Sequence, residues 1–336
     1  QHCLPSLDDF ASSYNFKVIP VTLYPASFIS AATTEESTPP DIATTTLVSL
    51  GAFFMPSELI IKCVYYKKIK LSIMQYDTKS KNFKNISEGL IETFKKAGDE
   101  SVKIEKKGLK IKTKEDGSPV TNGDLRVNEI ICDRIIQLTP NIPIISEETV
   151  DLKKKNTLNT YWLIDPIDGT KEYIAGRDEY TLNAGLIVNN LPVIGLIGVP
   201  KKNRIFYSYG KNNSFLLENN QVIKLNCKKK TPSNEVIALT NHENPPELIL
   251  NKLKEFGVTS FRKLSSSYKY CVIATGEYDL YVDKVRANEW DDAAGHAIAE
   301  SAGAIVTSLD NKSFEYGKED YKNPTILIRR SKNLNA

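Results

Sequence analysis

Apolar residues recur at helical spacing in two segments of the chain. In the segment 83–98, FKNISEGLIETFKKAG, they fall three or four positions apart, and Gly98 is predicted to end the helix. In the segment 125–138, LRVNEIICDRIIQL, the same spacing predicts a second amphipathic helix, which Pro140 closes. Each helix therefore presents one apolar face to a core and one polar face to solvent.

Shorter apolar segments, bounded by turn residues, read as strands. They lie at 108–124, which contains an Asp-Gly turn and is predicted to end at Asp124, and at 142–148, 161–170, 181–200, 204–225 and 235–240. The segments 181–200 and 204–225 contain Asn-Asn or Lys-Asn-Asn turns, which predict antiparallel hairpins. Strands and helices alternate later in the chain. The pattern predicts a mixed α and β domain in two halves, joined near 228–234.

The first 74 residues follow a different pattern. They combine a Ser, Thr and Pro-rich stretch with an apolar run that Pro56, Glu58 and Lys62 interrupt, so the run is a poor membrane span. We interpret 1–74 as a poorly defined N-terminal extension outside the native domain, with Met74 near the natural start. An accessory segment or a membrane anchor is the alternative. The domain itself is predicted over 75–336, with halves of about 75–230 and 231–336.

Composition narrows the function classes. Of the 336 residues 41% are hydrophobic and 25% charged, and the net charge of +3 is too balanced to indicate a partner that is a nucleic-acid polymer. The five cysteines form no C-x-x-C pair, which favours a reducing cytoplasm over a disulfide framework. With only three histidines, a metal would have to be held by carboxylates, which suit hard cations such as Mg²⁺.

Carboxylates stand where several predicted elements begin or end. Taken singly, each has an ordinary explanation, since an Asp at a helix start such as Asp291 is usually an N-cap and D-P-x-D-G is usually a turn. Together they gather like charges in apolar surroundings, which is costly without a cation. The residues concerned are Asp124, Glu147, Glu148, Asp165, Asp168, Asp291 and Asp292.

The stretch YWLIDPIDGTKEYI combines acids with a turn. Pro166 and Gly169 are predicted to stop the strand, so that Asp165 and Asp168 point at one place together with the Ile167 carbonyl.

Thr170 is predicted to cap the helix that begins at Lys171. The first amides of that helix favour a phosphate beside the metal. The stretch therefore predicts adjacent sites for a divalent metal and a phosphate.

These motifs resemble a known family. DPIDGT, with SEE upstream and WDDAAG downstream, is similar to the signature of the lithium-sensitive, Mg²⁺-dependent inositol monophosphatase superfamily. DGTKEYI, SSSYKYC and NEWDDAAGHAIAESAGA resemble its CysQ-type 3'(2'),5'-bisphosphate nucleotidases, whereas inositol monophosphatases typically have Thr-Asn in place of Lys171-Glu172. The resemblance runs from about residue 80 to 330. It implies an α+β fold, a layered αβαβα sandwich.

The resemblance also implies roles for individual residues. Two or three Mg²⁺ ions are expected on the carboxylates of Glu147, Asp165, Asp168 and Asp291 and the carbonyl of Ile167. Asp124, Glu147 and Thr170 would position and deprotonate the attacking water. Gly123 stands where the family usually has alanine, a change that can loosen the loop carrying Asp124.

For the substrate, the resemblance implies 3'-phosphoadenosine 5'-phosphate, a by-product of sulfate assimilation that is hydrolysed to AMP and phosphate. Many relatives carry an arginine where this chain has Asp283; Lys284 and Arg286 are candidates to replace it, or are surface charges on a loop. The expected substrate contacts are Gly169, Thr170, Lys171, His242, Ser266, Ser267, Lys269 and Asp291.

Two other functions stay open. The first is an inositol-phosphate or sugar-phosphate phosphatase of the same superfamily, and the second is a non-enzymatic, metal-stabilised scaffold. We expect a cytoplasmic protein without an integral membrane span, and leave peripheral association with the inner face of the cell membrane open. The expected partner is a small phosphorylated nucleotide.

Overall fold

The computed structural model describes residues 82–228, 235–283 and 287–334. The expectations for the extension 1–74, for Met74, and for Lys284 and Arg286 lie outside these residues. Within them, no helix combines the length and the apolar character needed to cross a membrane.

The described helices vary widely in length. Residues 82–88 form a first helical segment, and a turn at 89–90 separates it from α1. The longer elements and a five-residue helix follow in chain order: α1 (Ile91–Lys107), α2 (Asn122–Leu138), α3 (Thr170–Ile174), α4 (Glu247–Glu255), α5 (Tyr268–Ala274) and α6 (Glu289–Ser301). A 3₁₀ turn occupies Pro200–Lys202.

The strands form three sheets. The hairpin β1 (Ile111–Thr113) and β2 (Pro119–Thr121) stands by itself. The seven-stranded sheet runs in chain order through β3 (Ile144–Ser146), β4 (Thr160–Asp168), β5 (Thr181–Val188), β6 (Leu191–Val199), β7 (Arg204–Tyr209), β8 (Ser214–Glu218) and β9 (Gln221–Lys224). The five-stranded sheet has the order β11 (Ser260–Lys263), β10 (Ile237–Thr240), β12 (Leu280–Val282), β14 (Ile326–Arg329) and β13 (Ile305–Ser308).

The sheets and helices alternate in five layers. Helices α1 and α2 cover one face of the seven-stranded sheet through residues such as Phe94 and Ile131. Helices α5 and α6 fill the space between the two sheets, where Tyr270 and Ile298 are fully buried. Helix α4 covers the outer face of the five-stranded sheet through Ile249. The expected αβαβα sandwich is confirmed, and α1 and α2 bury the apolar faces that their sequence periods predict.

Helix α6 lies unusually close to the seven-stranded sheet because its residues and those beneath it are small. A methyl group on Gly195 of β6 would come within 2.1 Å of the Ala294 carbonyl oxygen. Only a glycine at that position lets the alanine-rich helix rest directly on the strand backbone. This contact fixes where the N-terminus of α6, with its acidic residues, meets the sheet.

Two predicted helix boundaries were wrong. Gly98 does not stop a helix; α1 continues through it to Lys107, because Gly98 is buried against Pro200, which a methyl group there would approach to 3.4 Å. The second helix begins at Asn122 rather than at Leu125, since Thr121 caps it. Tertiary contact decides the first boundary and side-chain capping the second.

The strand that carries the acids also continues further than predicted. Pro166 does not stop β4, which runs to Asp168 with a shift of its pairing to β5 between Asp165 and Asp168. Proline is tolerated there because a bulge leaves its position without a ladder hydrogen bond. The bulge brings both aspartates to the same end of the strand, and the chain turns only at Gly169, where φ is 89°.

Candidate active site

The turn between β2 and α2 aims Asp124. Thr121 is the N-cap of α2, and its hydroxyl accepts hydrogen bonds from the amides of Gly123 and Asp124. The Thr121 amide donates in return to Asp124 Oδ2 over 2.8 Å, which completes a capping box. Asp124 is 1% exposed, and burial raises the pKa of its carboxyl group. One carboxylate oxygen is thus fixed by the cap, and the other faces Thr170.

The prediction that Thr170 caps α3 is wrong. The N-cap is Gly169, and Thr170 is the first residue of the helix. Its hydroxyl lies 3.2 Å from the Ile167 carbonyl and 3.3 Å from Asp124 Oδ1, and it can donate to either oxygen. Thr170 therefore connects the turn after β4 with the N-terminus of α2.

The parallel pair β3 and β4 brings its acids to one edge of the sheet. The amide of Glu147 donates to the Ile164 carbonyl over 3.0 Å, so Glu147 lies directly beside the end of β4. Lys114, from the hairpin turn between β1 and β2, reaches Glu147 over 2.8 Å and Glu148 over 3.0 Å. Burial raises the pKa of Glu148 to about 7, although Lys114 opposes that shift.

Three carboxylates converge at the centre. Oxygen atoms of Glu147, Asp165 and Asp291 all lie within 4.8 Å of one another. Asp165 is 2% exposed, and within the part of the chain that the structure describes its Oδ1 has no hydrogen-bond partner. Burial, and after it the negative charge of Glu147, raise the pKa of Asp165 well above its usual value. An orphaned buried carboxylate oxygen among like charges fits a cation ligand, because a divalent ion would supply the missing partner.

Asp168 and Asp291 are connected through Ser267. The Ser267 amide and hydroxyl both lie 2.5 Å from Asp168 Oδ2, and the same hydroxyl lies 2.5 Å from the Asp291 carbonyl. Thr181 adds a weaker contact to Asp168 at 3.4 Å. Ser267 is fully buried, so it fixes the Asp168 carboxylate and connects it to the backbone of Asp291.

Asp291 is not the N-cap of α6, the ordinary explanation of its position. Asn288 caps the helix, and Asp291 is the third helical residue, whose Oδ2 accepts from the Asn288 amide over 2.7 Å. Burial and the charge of Asp168 raise the pKa of Asp291 well above its usual value. The next residue, Asp292, accepts from the Tyr270 hydroxyl and from Asn323, each over 2.9 Å.

A cavity of about 160 Å³ opens beside the carboxylates. Asp168 and Asp291 line it together with Ser265, Lys269 and Tyr281, among other residues. The cavity is therefore open both to the acids and to the loop that precedes α5.

The expected substrate contacts do not all face this cavity. The side chain of Ser266 is buried and donates to the Glu179 carbonyl, and Ser267 is committed to the acids. Lys171 is exposed on α3, and the side chain of His242 is 51% exposed. Of the predicted serine and lysine contacts, Lys269 alone lines the cavity, within the described part of the chain.

Asp283, the departure from the family pattern, has a structural use. Its buried carboxylate accepts a hydrogen bond from the backbone amide of Asn241 over 2.6 Å, and its other oxygen lies 3.6 Å from His242 Nε2. It thereby holds the segment after β10, which carries Asn241 into the cavity wall. The Asn241 side-chain oxygen is buried and has no hydrogen-bond partner among the described residues.

A sequence profile of the inositol monophosphatase family matches residues 80–336. The chain belongs to the inositol monophosphatase family. It is 34% identical over 224 residues to a 3'(2'),5'-bisphosphate nucleotidase CysQ of Escherichia coli, a match that covers 66% of this chain and 89% of that protein. It is 30% identical over 247 residues to the CysQ protein of Buchnera aphidicola, covering 72% of this chain and 91% of the relative.

Solved structures of the inositol monophosphatase family share the fold. The crystal structure of CysQ from Bacteroides thetaiotaomicron superposes with a TM-score of 0.58 at 26% identity, and the match covers 75% of this chain and 97% of that one.

Motif reading missed several residues that the family fold brings to the site. Lys114 lies more than thirty residues before its partners Glu147 and Glu148, and only the hairpin turn carries it to them. Motif reading predicted Ser267 only as a substrate contact and gave no signal for the contact that its hydroxyl makes with Asp168. Asn241 and Lys322 line the cavity without any sequence signal, since an isolated Asn or Lys in a loop is most often solvated.

Proposed function

We propose that this protein is a Mg²⁺-dependent 3'(2'),5'-bisphosphate nucleotidase that hydrolyses 3'-phosphoadenosine 5'-phosphate to AMP and phosphate. The observation that carries the proposal is the convergence of Glu147, Asp165 and Asp291 within 4.8 Å, in a chain 34% identical to a CysQ nucleotidase. A metal-stabilised scaffold would use the same carboxylates, so the similarity to CysQ nucleotidases and the cavity beside Asp168 and Asp291 are what favour an enzyme.

The donor set fits a hard divalent cation. Glu147, Asp165, Asp168 and Asp291 would hold the ions through carboxylate oxygens, with the Ile167 carbonyl as a further ligand, and oxygen ligands are those that Mg²⁺ prefers. Bound Mg²⁺ would lower the pKa of a water molecule and neutralise charge on the phosphate ester. The number of ions, two or three, is part of the proposal.

The chain's own residues would handle the water and the phosphate. Asp124 and Thr170 lie 3.3 Å apart, so their oxygens can orient one water molecule between the turn after β4 and the start of α2. Lys114 holds Glu147 over 2.8 Å and keeps it directed towards the other acids. The amides of Gly169, Thr170 and Lys171 have no acceptor within a helix that starts there, and would hold phosphate oxygens.

Phosphate release from a panel of substrates tests this proposal. With Mg²⁺ present, we expect the highest kcat/KM for 3'-phosphoadenosine 5'-phosphate, and lower values for inositol 1-phosphate and fructose 1,6-bisphosphate. We also expect inhibition by Li⁺, which is close to Mg²⁺ in size but carries half its charge. A preference for inositol 1-phosphate would favour the related monophosphatase activity instead. Absence of release from every substrate would favour the scaffold.

A further inference from the structure

Two lysines line the cavity beside the acids, Lys269 and Lys322. A nucleotide bisphosphate whose one phosphate lies at the carboxylate cluster carries a second phosphate elsewhere. That group needs a cation of its own, because charge-assisted hydrogen bonds are the strong contacts to phosphate. The surroundings of each lysine decide which of the two is free to provide it.

Lys269 is largely committed to the protein. Its amine lies 3.5 Å from the Ser265 carbonyl, and the side chain is 5% exposed. The amine also lies 5.1 Å from the centre of the Tyr281 ring. Burial raises the pKa of Asp292, and the charge of Lys269 opposes that shift, so Lys269 also stabilises a buried carboxylate. Lys269 is therefore part of the cavity floor.

Lys322 is in a different position. Its side chain is half-buried in the cavity wall, and no ion pair involves it within 82–228, 235–283 and 287–334. The Lys322 backbone amide donates to Asp320 Oδ1 over 3.1 Å, and its side chain makes no hydrogen bond to the residues that the structure describes. The ammonium group is thus available to an anion that enters the cavity.

The backbone holds Lys322 firmly beside the acids. Residues 321–323 run antiparallel to 287–289: Lys322 bridges to Asn288, and the Glu289 amide donates to the Tyr321 carbonyl over 2.7 Å. Asn288 is the residue that caps α6 and binds Asp291. The spacing between Lys322 and a carboxylate of the central cluster is therefore set by one rigid helix start.

The turn at Tyr321 adds to this rigidity. Tyr321 has a φ of 54°, a left-handed conformation that costs free energy for a bulky residue. Its ring packs on Trp290 with ring centres 5.7 Å apart, and its side chain is 5% exposed. This packing maintains the turn and fixes the direction in which the chain enters Lys322.

We propose that Lys322 binds the second phosphate of a nucleotide bisphosphate, the one that is not hydrolysed. The proposal rests on the nucleotidase function. It accounts for Asp283 as well: the position where many relatives have arginine is used to hold the segment carrying Asn241, and the cation comes from Lys322, another residue of the cavity lining.

Steady-state kinetics on two substrates test the role of Lys322. Adenosine 3'-phosphate matches 3'-phosphoadenosine 5'-phosphate except for the missing 5'-phosphate. We expect Lys322→Met to lower kcat/KM for the bisphosphate roughly ten- to a hundredfold, the scale of a lost charge-assisted hydrogen bond. The value for adenosine 3'-phosphate should be nearly unchanged, and Lys322→Arg should retain most of the preference. Lys332→Met, at an exposed lysine, is the matched control.

Two further measurements separate the explanations. The affinity for adenosine 5'-phosphate, measured by calorimetry without turnover, should be lower in Lys322→Met and unchanged in Lys332→Met. Lys269→Met should lower kcat/KM for both substrates alike, because it removes the charge that stabilises Asp292. The assignment would be overturned if Lys322→Met lowered kcat/KM equally for both substrates, or did not lower it for the bisphosphate. If the unaltered protein releases no phosphate from the bisphosphate, the nucleotidase function fails first.

Discussion

At the residue scale, the site is a set of acids whose unfavourable burial is only partly relieved by protein partners. Asp124 and Asp168 each have hydrogen-bond donors, but Asp165 Oδ1 has none. Such a group is costly to bury unless a cation completes it. Two of the acids are also held by a neighbouring residue: Ser267 contacts the Asp168 carboxylate, and the backbone amide of Asn288 donates to the Asp291 carboxylate.

Asp168→Asn tests the acid set directly. Three donors surround Asp168 Oδ2, so an amide would place its oxygen there and direct its NH₂ group towards the cluster. An NH₂ group cannot coordinate Mg²⁺. We expect kcat/KM to fall at least about a hundredfold, since metal stabilisation of transition-state charge is worth several kcal/mol. The melting temperature should change little.

The matched control for this variant is Asp178→Asn, at an exposed carboxylate that pairs with Lys202. It should keep full activity, because surface ion pairs contribute little. Near-normal turnover by Asp168→Asn at low Mg²⁺ would contradict the proposed ligand role.

At the element scale, the start of α2 is held by close packing as well as by its cap. A methyl group on Gly123 would lie 2.5 Å from the Tyr173 hydroxyl oxygen. That hydroxyl donates to the Ser101 carbonyl of α1 over 2.6 Å, so α1, α2 and α3 meet at this glycine. Glycine in place of the family's usual alanine therefore accompanies tight packing against Tyr173.

Gly123→Ala should therefore lower the free energy of unfolding, although alanine is a better helix former than glycine. The added methyl group must displace Tyr173 or the start of α2. We expect a loss of about 1–3 kcal/mol in unfolding free energy from overpacking, measured by urea denaturation. We also expect a lower kcat, because Asp124 is attached to the displaced turn.

Gly98→Ala serves as the comparison for that variant, since its methyl group would come no closer than 3.4 Å to Pro200. It should be neutral or stabilising. If Gly123→Ala is as stable and active as the unaltered protein, the packing argument fails.

At the scale of the whole molecule, the site is assembled from both halves of the domain. The hairpin β1–β2 and strands β3 and β4 bring Lys114, Glu147, Asp165 and Asp168. The second half contributes Ser267 and Asp291 near the starts of α5 and α6. Because α6 rests on the seven-stranded sheet, the two halves cannot separate without dispersing the acids.

A protein that starts at Met74 should contain everything the activity needs. Every residue placed at the site lies beyond 110, and the family match begins at residue 80. We expect the shortened protein to unfold cooperatively and to match the full chain in kcat/KM. Mg²⁺ should raise the melting temperature of both equally, since binding stabilises by about 2.7 kcal/mol at a hundred times Kd. An insoluble or inactive shortened protein would mean that 1–74 belong to the domain.

The sequence by itself determined the chemistry and much of the local structure. Short-range rules predicted the hairpins, because Asn-Asn pairs favour such turns. Asn189 and Asn190 both adopt the positive φ that these turns require. The motifs SEE, DPIDGT and WDDAAG identified the acids, because ligand chemistry depends on residue type and an ordered signature specifies a family.

Only the tertiary structure decided how those parts are used. The pairing of β3 with β4 and the seating of α6 brought Glu147, Asp165 and Asp291 within 4.8 Å, and contacts between residues so far apart in the chain have no local signal. Packing also decided that α1 continues through Gly98, and that the Ser267 amide and hydroxyl reach Asp168. Burial and long-range contact depend on the whole fold. Lys322 lines the cavity because residues 321–323 run beside the start of α6, and the sequence alone does not indicate that contact.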